Sequence, residues 1–290
     1  MVWLFESLAG FIIFMQKKSM NHHVKGRIAA FLAGLSALLT LYASLRGIMN
    51  QKLYTDVAEA GTISSFLVTG SLAQDIILLP TTLLLLVLTI RFLGKPSLKI
   101  LIMNLGLISF IFYGYGLYVI QDQYTDLYVM YLAIFGLSLY TMIYGLLAVR
   151  WDEASSTSLP KPLRASLAAF LLLIPLVLIP VWLTLIFPDI LAHTPSDTYA
   201  VFILDLCIVF PALVIIAWLL FANRPAGNIL GGVAIIKAFT ICLSVAFGEW
   251  FQGFTGNLPL NTGMLAIFLP LTLVSLALVI WYFSQLKITP

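Results

Sequence analysis

The sequence predicts an all-α integral membrane protein with eight transmembrane helices, arranged as two parallel four-helix repeats. Hydrophobic residues make up 61% of the 290 residues and charged residues only 9%, and the mean hydropathy is +1.06. A soluble domain carries about 25% charged residues, so lipid must be the solvent of this chain. Eight apolar segments follow one another along the sequence, and features of the first four recur in the last four.

The N-terminal segment, residues 1–26, is predicted to lie on the cytoplasmic face of the membrane. Its apolar stretch from Val2 to Met15 precedes Lys17 and Lys18, whereas a secretory signal peptide places its positive charge first. The stretch is also shorter than the roughly 20 residues of a membrane span. We therefore expect an interfacial helix; a ninth span with an outer N-terminus is the alternative.

The eight apolar segments each have the length of one helical crossing. Helices are favoured because lipid cannot satisfy open backbone groups and because barrel strands would alternate polar and apolar residues. The segments cover residues 28–48, 72–92, 99–120, 127–149, 165–187, 198–222, 229–250 and 263–284.

The basic residues of the loops predict the orientation. Twelve of the 15 Lys and Arg residues fall on one side of an eight-span chain, and the opposite loops contain only Arg46 and Lys52. The side rich in Lys and Arg is normally cytoplasmic. Both termini are therefore predicted in the cytoplasm, and the absence of any Asn-x-Ser/Thr sequence suits a bacterial cytoplasmic (plasma) membrane.

The two halves, residues 27–150 and 151–290, share an ordered series of polar residues. Four spans per half is an even number, so both halves would enter the membrane in the same direction. Such parallel repeats are related by a pseudo-two-fold axis along the membrane normal. The second span and its exit carry Asp75, Pro80 and Lys95-Pro96, and the sixth carries Asp205, Pro211 and Arg224-Pro225.

These same short motifs give the chain its family resemblance. Gln74-Asp75 in the second span, and Asp205 with Arg224-Pro225 around the sixth, make it similar to uncharacterised bacterial multi-pass membrane proteins. The resemblance implies a membrane-embedded helical fold and no particular activity.

Ionisable residues inside the spans are the first candidates for a functional site, because charge within a membrane is expensive and tends to be functional or paired. Asp205 and Lys237 lie on adjacent predicted spans, and we expect them to form an ion pair. The pair either fixes two helices or lines a water-filled cavity open to the outside. Asp75 is predicted about one turn into its span, and each acid precedes a proline that frees a nearby backbone carbonyl.

Four further candidates lie near the outer side of the predicted bundle or within it. Arg46 is expected to pair with Asp75 at the mouth of the bundle, close to Glu249. Tyr140 and Tyr144 lie one turn apart and, if buried, need partners for their hydroxyls. No Gly-rich phosphate loop, zinc motif or nucleophile elbow occurs in the sequence, so we predict no catalytic residues, cofactor or metal.

The favoured function is a small-solute or ion transporter with an outward-facing cavity around the intramembrane Asp and Lys residues. Its partners would be the lipid bilayer and a small solute or a cation, H⁺ or Na⁺. A sensor, receptor or accessory subunit acting through a homodimer or a partner membrane protein is the alternative. A membrane-embedded lipid-modifying enzyme is a third, and would use Arg46, Asp75, Glu249 and His193. The basic residues are dispersed, which speaks against nucleic acid.

Overall fold

A computed structural model describes residues 21–151, 157–255 and 259–288 of the chain. The described part is α-helical except for one short strand pair, and eight of its helices are long and apolar enough to cross a membrane. The chain is therefore a polytopic membrane protein, as predicted. Spans one to eight are His22–Met49, Ser65–Gly94, Leu98–Ile120, Tyr128–Ala148, Lys161–Ala192, Tyr199–Phe221, Pro225–Thr255 and Thr262–Gln285.

Two predictions about the ends of these elements need comment. The N-terminal interfacial segment lies outside the described residues, except that its last residues, from His22, begin span one. Span two begins at Ser65, seven residues before the predicted position 72. Asp75 is consequently ten residues inside this helix, about 15 Å along its axis at 1.5 Å per residue, and the prediction of a shallow position was wrong.

Short polar residues start several spans. Pro96 cannot donate a helical hydrogen bond, and Ser97 directly after it caps span three, its hydroxyl accepting from the amide of Ile100 at 3.3 Å. Asn261 caps span eight in the same way, accepting from the amide of Met264 at 3.1 Å. Such caps satisfy backbone amides that have no partner within the helix.

Span one packs through a stripe of small residues. Ala29, Ala33 and Ala37 are at most 4% exposed, and span one packs against spans two and four. Side chains this small let helix backbones approach closely within a membrane. Ser36 extends the same face, and its hydroxyl lies 3.0 Å from that of Ser138 on span four.

Spans three and seven form the centre of the bundle and contact each other along its middle. In the most apolar stretch of span three 83% of the residues are buried, against 28% in spans four and eight. Span seven also contacts span two, and span three contacts the start of span six. The two halves thus meet through spans two and three of the first half and spans six and seven of the second, while the duplication itself stays a prediction.

The two halves close differently. Spans one and four pack together along much of their length, whereas spans five and eight touch only locally. Span five presents bulky residues such as Leu171, Leu178 and Trp182 to the interior, where span one presents alanines. The second half is therefore the more open of the two.

Two additional elements complete the described structure. A short helix, Lys52–Glu59, follows span one and buries Leu53, Tyr54 and Val57 against the bundle. Strands β1, Thr157–Ser158, and β2, Lys287–Ile288, pair antiparallel at the opposite end. We call the end that carries Lys52–Glu59 the predicted outer end, since the orientation rests on loop charges alone.

Candidate functional site

A cavity of about 360 Å³ lies in the second half of the molecule. Spans five, six, seven and eight line it, and single faces of spans two and three close its remaining side. Most of the lining side chains are apolar. Three residues of the Asp, Glu, Lys and Arg types also face this second-half cavity, namely Asp205, Lys237 and Glu249. The structure thus brings together three of the residues that the sequence singled out.

Asp205 is held in the cavity wall by a tryptophan. Its Oδ2 accepts a hydrogen bond of 2.8 Å from Nε1 of Trp182 on span five. Both residues are 7% exposed, and the Trp182 ring also packs against Phe202, with the ring centres 5.8 Å apart. A buried tryptophan usually places its N–H on a polar partner, but sequence reasoning did not connect Trp182 with Asp205.

The backbone of span six changes form at Asp205. Residues Asp205–Val209 make one π-helical turn, in which the amide of Phe210 donates to the carbonyl of Asp205. This turn takes up one extra residue just before Pro211, whereas span two continues as a regular helix through Pro80. π-Turns often occur at functional sites, and this one lies directly on the cavity.

Lys237 lies near the middle of span seven and has no direct acid partner. Its Nζ is buried and makes no hydrogen bond to any described residue. The ammonium rests over the ring of Tyr113, 4.7 Å from the ring centre, a cation–π contact that stabilises a buried cation by roughly 2 kcal/mol. Lys237 and Asp205 interact electrostatically across the cavity.

The predicted direct Asp205–Lys237 ion pair is therefore not formed. Tyr113 lies between the two groups instead, with its ring under the ammonium of Lys237 and its hydroxyl interacting with the carboxylate of Asp205.

Glu249 faces the cavity closer to the predicted outer end. It is 6% exposed, lies near the backbone amide of Asn261, and has no hydrogen-bond partner for Oε2 within the described structure. Twelve residues of helix separate it from Lys237, a distance of about 18 Å along the axis. The two charged groups therefore mark two levels of one elongated cavity.

Asp75 does not reach this cavity, contrary to the prediction that it shares one with Asp205 and Lys237. It is 1% exposed within the first half, where its Oδ2 accepts a hydrogen bond of 2.5 Å from the hydroxyl of Tyr54. Its neighbour Gln74 points the other way and lines the second-half cavity. Span two thus carries one polar residue on each of two faces.

Four buried tyrosines surround Asp75, and we call them the tyrosine cluster. Tyr115, Tyr118 and Tyr131 have ring centres 5.2 to 5.5 Å apart, and Tyr54 lies 6.3 Å from Tyr118. Tyr54 belongs to the short helix outside the spans, and burial raises the pKa of its hydroxyl well above the usual value. It therefore stays protonated and donates to Asp75.

A glycine makes room for this arrangement. A Cβ atom on Gly47 would lie 1.9 Å from Oδ2 of Asp75 and 2.7 Å from the hydroxyl of Tyr54. Any larger residue would thus displace the carboxylate from its place. The tyrosine cluster and Gly47 carry no recognisable sequence motif, and only their shared depth near Asp75 could have suggested them.

The structure corrects the predicted Arg46–Asp75 pair. Arg46 is exposed, whereas Asp75 is enclosed and bonded to Tyr54. The helix Lys52–Glu59 was not predicted, and it inserts Tyr54 into the place that the arginine was expected to occupy. The four residues proposed for a lipid-modifying enzyme are likewise not brought together, since Asp75 and Glu249 lie in different halves.

Tyr140 and Tyr144 do not contribute to the cavity. Tyr140 is 56% exposed and Tyr144 is partly buried, and neither lines the second-half cavity. The buried face of span four runs instead through Tyr131, Ile134 and Ser138. Tyr115 and Tyr131, which the sequence analysis did not single out, are fully enclosed.

No group of three or more His, Cys, Asp or Glu residues in the described ranges is arranged to hold a metal ion. Comparison of the chain with protein-family models, with curated proteins and with solved structures finds no match. The membrane fold and the two buried sites therefore carry the functional argument by themselves.

Proposed function

We propose that this membrane protein is a small-solute transporter whose substrate site is the second-half cavity, and that its substrate is an organic anion with an apolar body. The observation that carries this proposal is the buried ammonium of Lys237, which has no hydrogen-bond partner among the described residues. An ammonium has three donors, and leaving them unsatisfied in a membrane interior is costly. An anionic group of a ligand would supply the acceptors.

The size and lining of the cavity support a small organic ligand. Ligand sites generally measure about 300–1,000 Å³ and combine apolar walls with a few polar groups, and the second-half cavity of about 360 Å³ matches that description. Between the levels of Lys237 and Glu249, span seven contributes Ala238, Ile241 and Val245 to the wall. This stretch suits a hydrocarbon or aromatic body rather than a sugar.

The charges favour one orientation of the ligand. The cation lies deep and the acid Glu249 lies toward the predicted outer end, so an anionic headgroup would bind at Lys237 and the apolar body would extend toward Glu249. Asp205 is already engaged by Trp182. It would moderate the positive potential at Lys237 and so keep binding reversible, as a transporter requires.

The π-turn of span six supports movement around the ligand. Transporters commonly place their substrate near the bilayer midplane, beside interrupted helices. The turn Asp205–Val209 with Pro211 is such an interruption, and its first residue lines the cavity. Bending at this point would move the outer part of span six relative to span seven.

Thermal stability of the purified protein in detergent provides the first test. Carboxylates of increasing chain length would be compared with their methyl esters, which keep the body but lose the charge. A ligand at 100 times its Kd stabilises the folded state by about 2.7 kcal/mol. We expect a carboxylate, and not its ester, to raise the Tm of the wild type.

Two lysine variants make the test specific. Lys237→Met should abolish the shift in Tm, whereas Lys95→Met, at an exposed loop position, should retain it. Uptake of the stabilising carboxylate into proteoliposomes then tests transport itself. A shift that persists in Lys237→Met would refute the proposed site, and binding without uptake would refute transport.

A further inference from the structure

The first half contains a second group of polar atoms that the proposed solute site does not use. Among its buried oxygens without a hydrogen-bond partner in the described residues, Asp75 and four hydroxyls form one set to which all four spans of this half contribute. Each parent residue is at most 1% exposed. The atoms are Oγ1 of Thr40, Oγ of Ser44, Oδ1 of Asp75, and the hydroxyls of Tyr115 and Tyr131.

Four of these oxygens lie close enough to interact in pairs. The Ser44 hydroxyl interacts with the carboxylate of Asp75, and the Tyr115 hydroxyl interacts with those of Ser44 and Thr40, although none of these contacts has the full geometry of a hydrogen bond. Buried polar groups are almost always satisfied. Oxygens that gather near one carboxylate without completing their hydrogen bonds leave acceptors for a small bound species.

Charge narrows the choice of that species. Asp75 is enclosed, and no Lys, Arg or His in the described part of the chain forms an ion pair with it, since Arg46 is exposed. A buried carboxylate needs a proton or a cation to balance it. One carboxylate balances one positive charge, which favours a monovalent ion over Ca²⁺ or Mg²⁺.

The chemistry of the ligand atoms narrows the choice of the bound ion further. A carboxylate and hydroxyls are hard oxygen ligands, and no nitrogen or sulfur atom belongs to the set. We propose that Thr40, Ser44, Asp75, Tyr115 and Tyr131 form a binding site for a monovalent metal cation, with Na⁺ as its ion. Tyr54 and Gly47 position the carboxylate, the first by its hydrogen bond and the second by leaving room.

Span two connects this cation site to the solute cavity. Asp75 faces the cation site, and the preceding residue Gln74 lines the second-half cavity. A cation that fixes the rotation of span two would also fix Gln74, so cation and solute would favour the same arrangement. This coupling rests on the proposed transport function, whereas cation binding itself does not.

The test is direct binding of radioactive ²²Na⁺ to the purified full-length chain, at constant pH and ionic strength with N-methylglucamine as the replacement cation. We expect saturable binding that unlabelled Na⁺ displaces, and a rise in Tm with Na⁺. Absence of both would overturn the proposal and leave ordered water as the species that satisfies the hydroxyls. Displacement by K⁺ as effective as that by Na⁺ would overturn the choice of Na⁺.

Two pairs of variants locate the ion. Asp75→Asn should abolish ²²Na⁺ binding while Asp205→Asn, at the other buried acid, retains it. Tyr131→Phe removes one oxygen and keeps the ring, so it serves if Asp75→Asn fails to fold. It should weaken Na⁺ binding at least about tenfold, because even partners outside the ligand shell contribute 10- to 100-fold. Tyr128→Phe, on the same helix, should not weaken it.

The two proposals fail separately. If no carboxylate shifts the Tm but ²²Na⁺ binds, the solute site is refuted and the cation site is supported. If a carboxylate binds but ²²Na⁺ does not, the cation site is refuted and the solute site is supported. If both occur, the Kd for the carboxylate should fall when Na⁺ replaces N-methylglucamine, and Tyr131→Phe should need a higher Na⁺ concentration for the same fall.

Discussion

The two halves of the molecule contain the same number of spans and each buries an aspartate, yet the first half is closed around Asp75 whereas the second has a cavity beside Asp205. Small side chains decide the difference. Span one presents alanine, serine and glycine to its neighbours, while span five presents leucine, isoleucine and tryptophan. Small residues draw helices together, and bulky ones keep span five away from span eight.

The same difference sets the surroundings of the two acids. In the closed half Asp75 is surrounded by hydroxyls and cut off from the cavity, which suits a small ion. In the open half Asp205 shares its wall with apolar side chains and a lysine, which suits a larger solute. The two groups of four helices thus hold two kinds of site, according to how closely the first helix of each group packs.

The largest expected effect comes from exchanging small for bulky packing in the closed half. Ala37→Leu inserts a branched side chain where the residue is 0% exposed, and such overpacking should lower the free energy of unfolding by about 3 kcal/mol. Ala238→Leu adds the same atoms at the cavity wall and should cost under about 1 kcal/mol. Unfolding of both variants in denaturing detergent measures the contrast.

Equal losses for the two leucine variants would contradict the distinction between a closed and an open half. Ala238→Leu should in addition weaken binding of the carboxylate, because its side chain occupies cavity volume. Ala37→Leu should leave the affinity for the carboxylate unchanged wherever the variant is folded.

A smaller effect is expected at Gly47, which is needed only because the first half is closed. Gly47→Ala brings a methyl group into contact with Asp75 and Tyr54, and should destabilise by about 2 kcal/mol. Gly34→Ala on the same helix meets only Thr89, at 3.9 Å, and should stabilise by up to about 1 kcal/mol through helix propensity. Thermal unfolding should therefore show a lower Tm for Gly47→Ala and a higher Tm for Gly34→Ala than for the wild type.

The smallest effects are expected at the hydrogen-bond donors of the two acids. Tyr54→Phe should cost about 1.5 kcal/mol, since it leaves a buried carboxylate oxygen without its donor. Trp182→Phe should cost less, because the cavity lets water replace the lost donor at Asp205. Trp218→Phe, at a residue 62% exposed, is the control and should change stability by under about 0.5 kcal/mol. A larger loss of stability for Trp182→Phe than for Tyr54→Phe would contradict the contrast between an enclosed Asp75 and an Asp205 that water can reach.

The sequence was sufficient to predict the architecture, because hydropathy reports directly on what lipid can solvate. Each of the eight predicted segments overlaps one of the eight long apolar helices of the described chain. The start of span two was missed because Thr69 and Ser71 count as polar in hydropathy. Both are nevertheless buried against protein, at 5% and 3% exposure.

It was harder to predict which residues line the two sites, because the sequence of a span that is apolar on every side does not reveal which face is buried. Tyr140 and Tyr131 lie on one such helix, and only the structure shows that Tyr131 faces inward and Tyr140 outward. Lys237, Asp205 and Glu249 were found because charge inside a span is rare enough to be informative alone. The partners of these charges, such as Trp182, depend on helix rotation.

The pairing of strands β1 and β2 has a consequence for synthesis of the protein. Strand β1 lies between the halves and leaves the ribosome before span five, while its partner β2 follows span eight. Between these two events Asn228, whose side-chain amide donates to the carbonyl of Thr157, is the described contact that can hold β1 against span seven. Pairing of the two strands therefore has to wait until all four later spans have been synthesised.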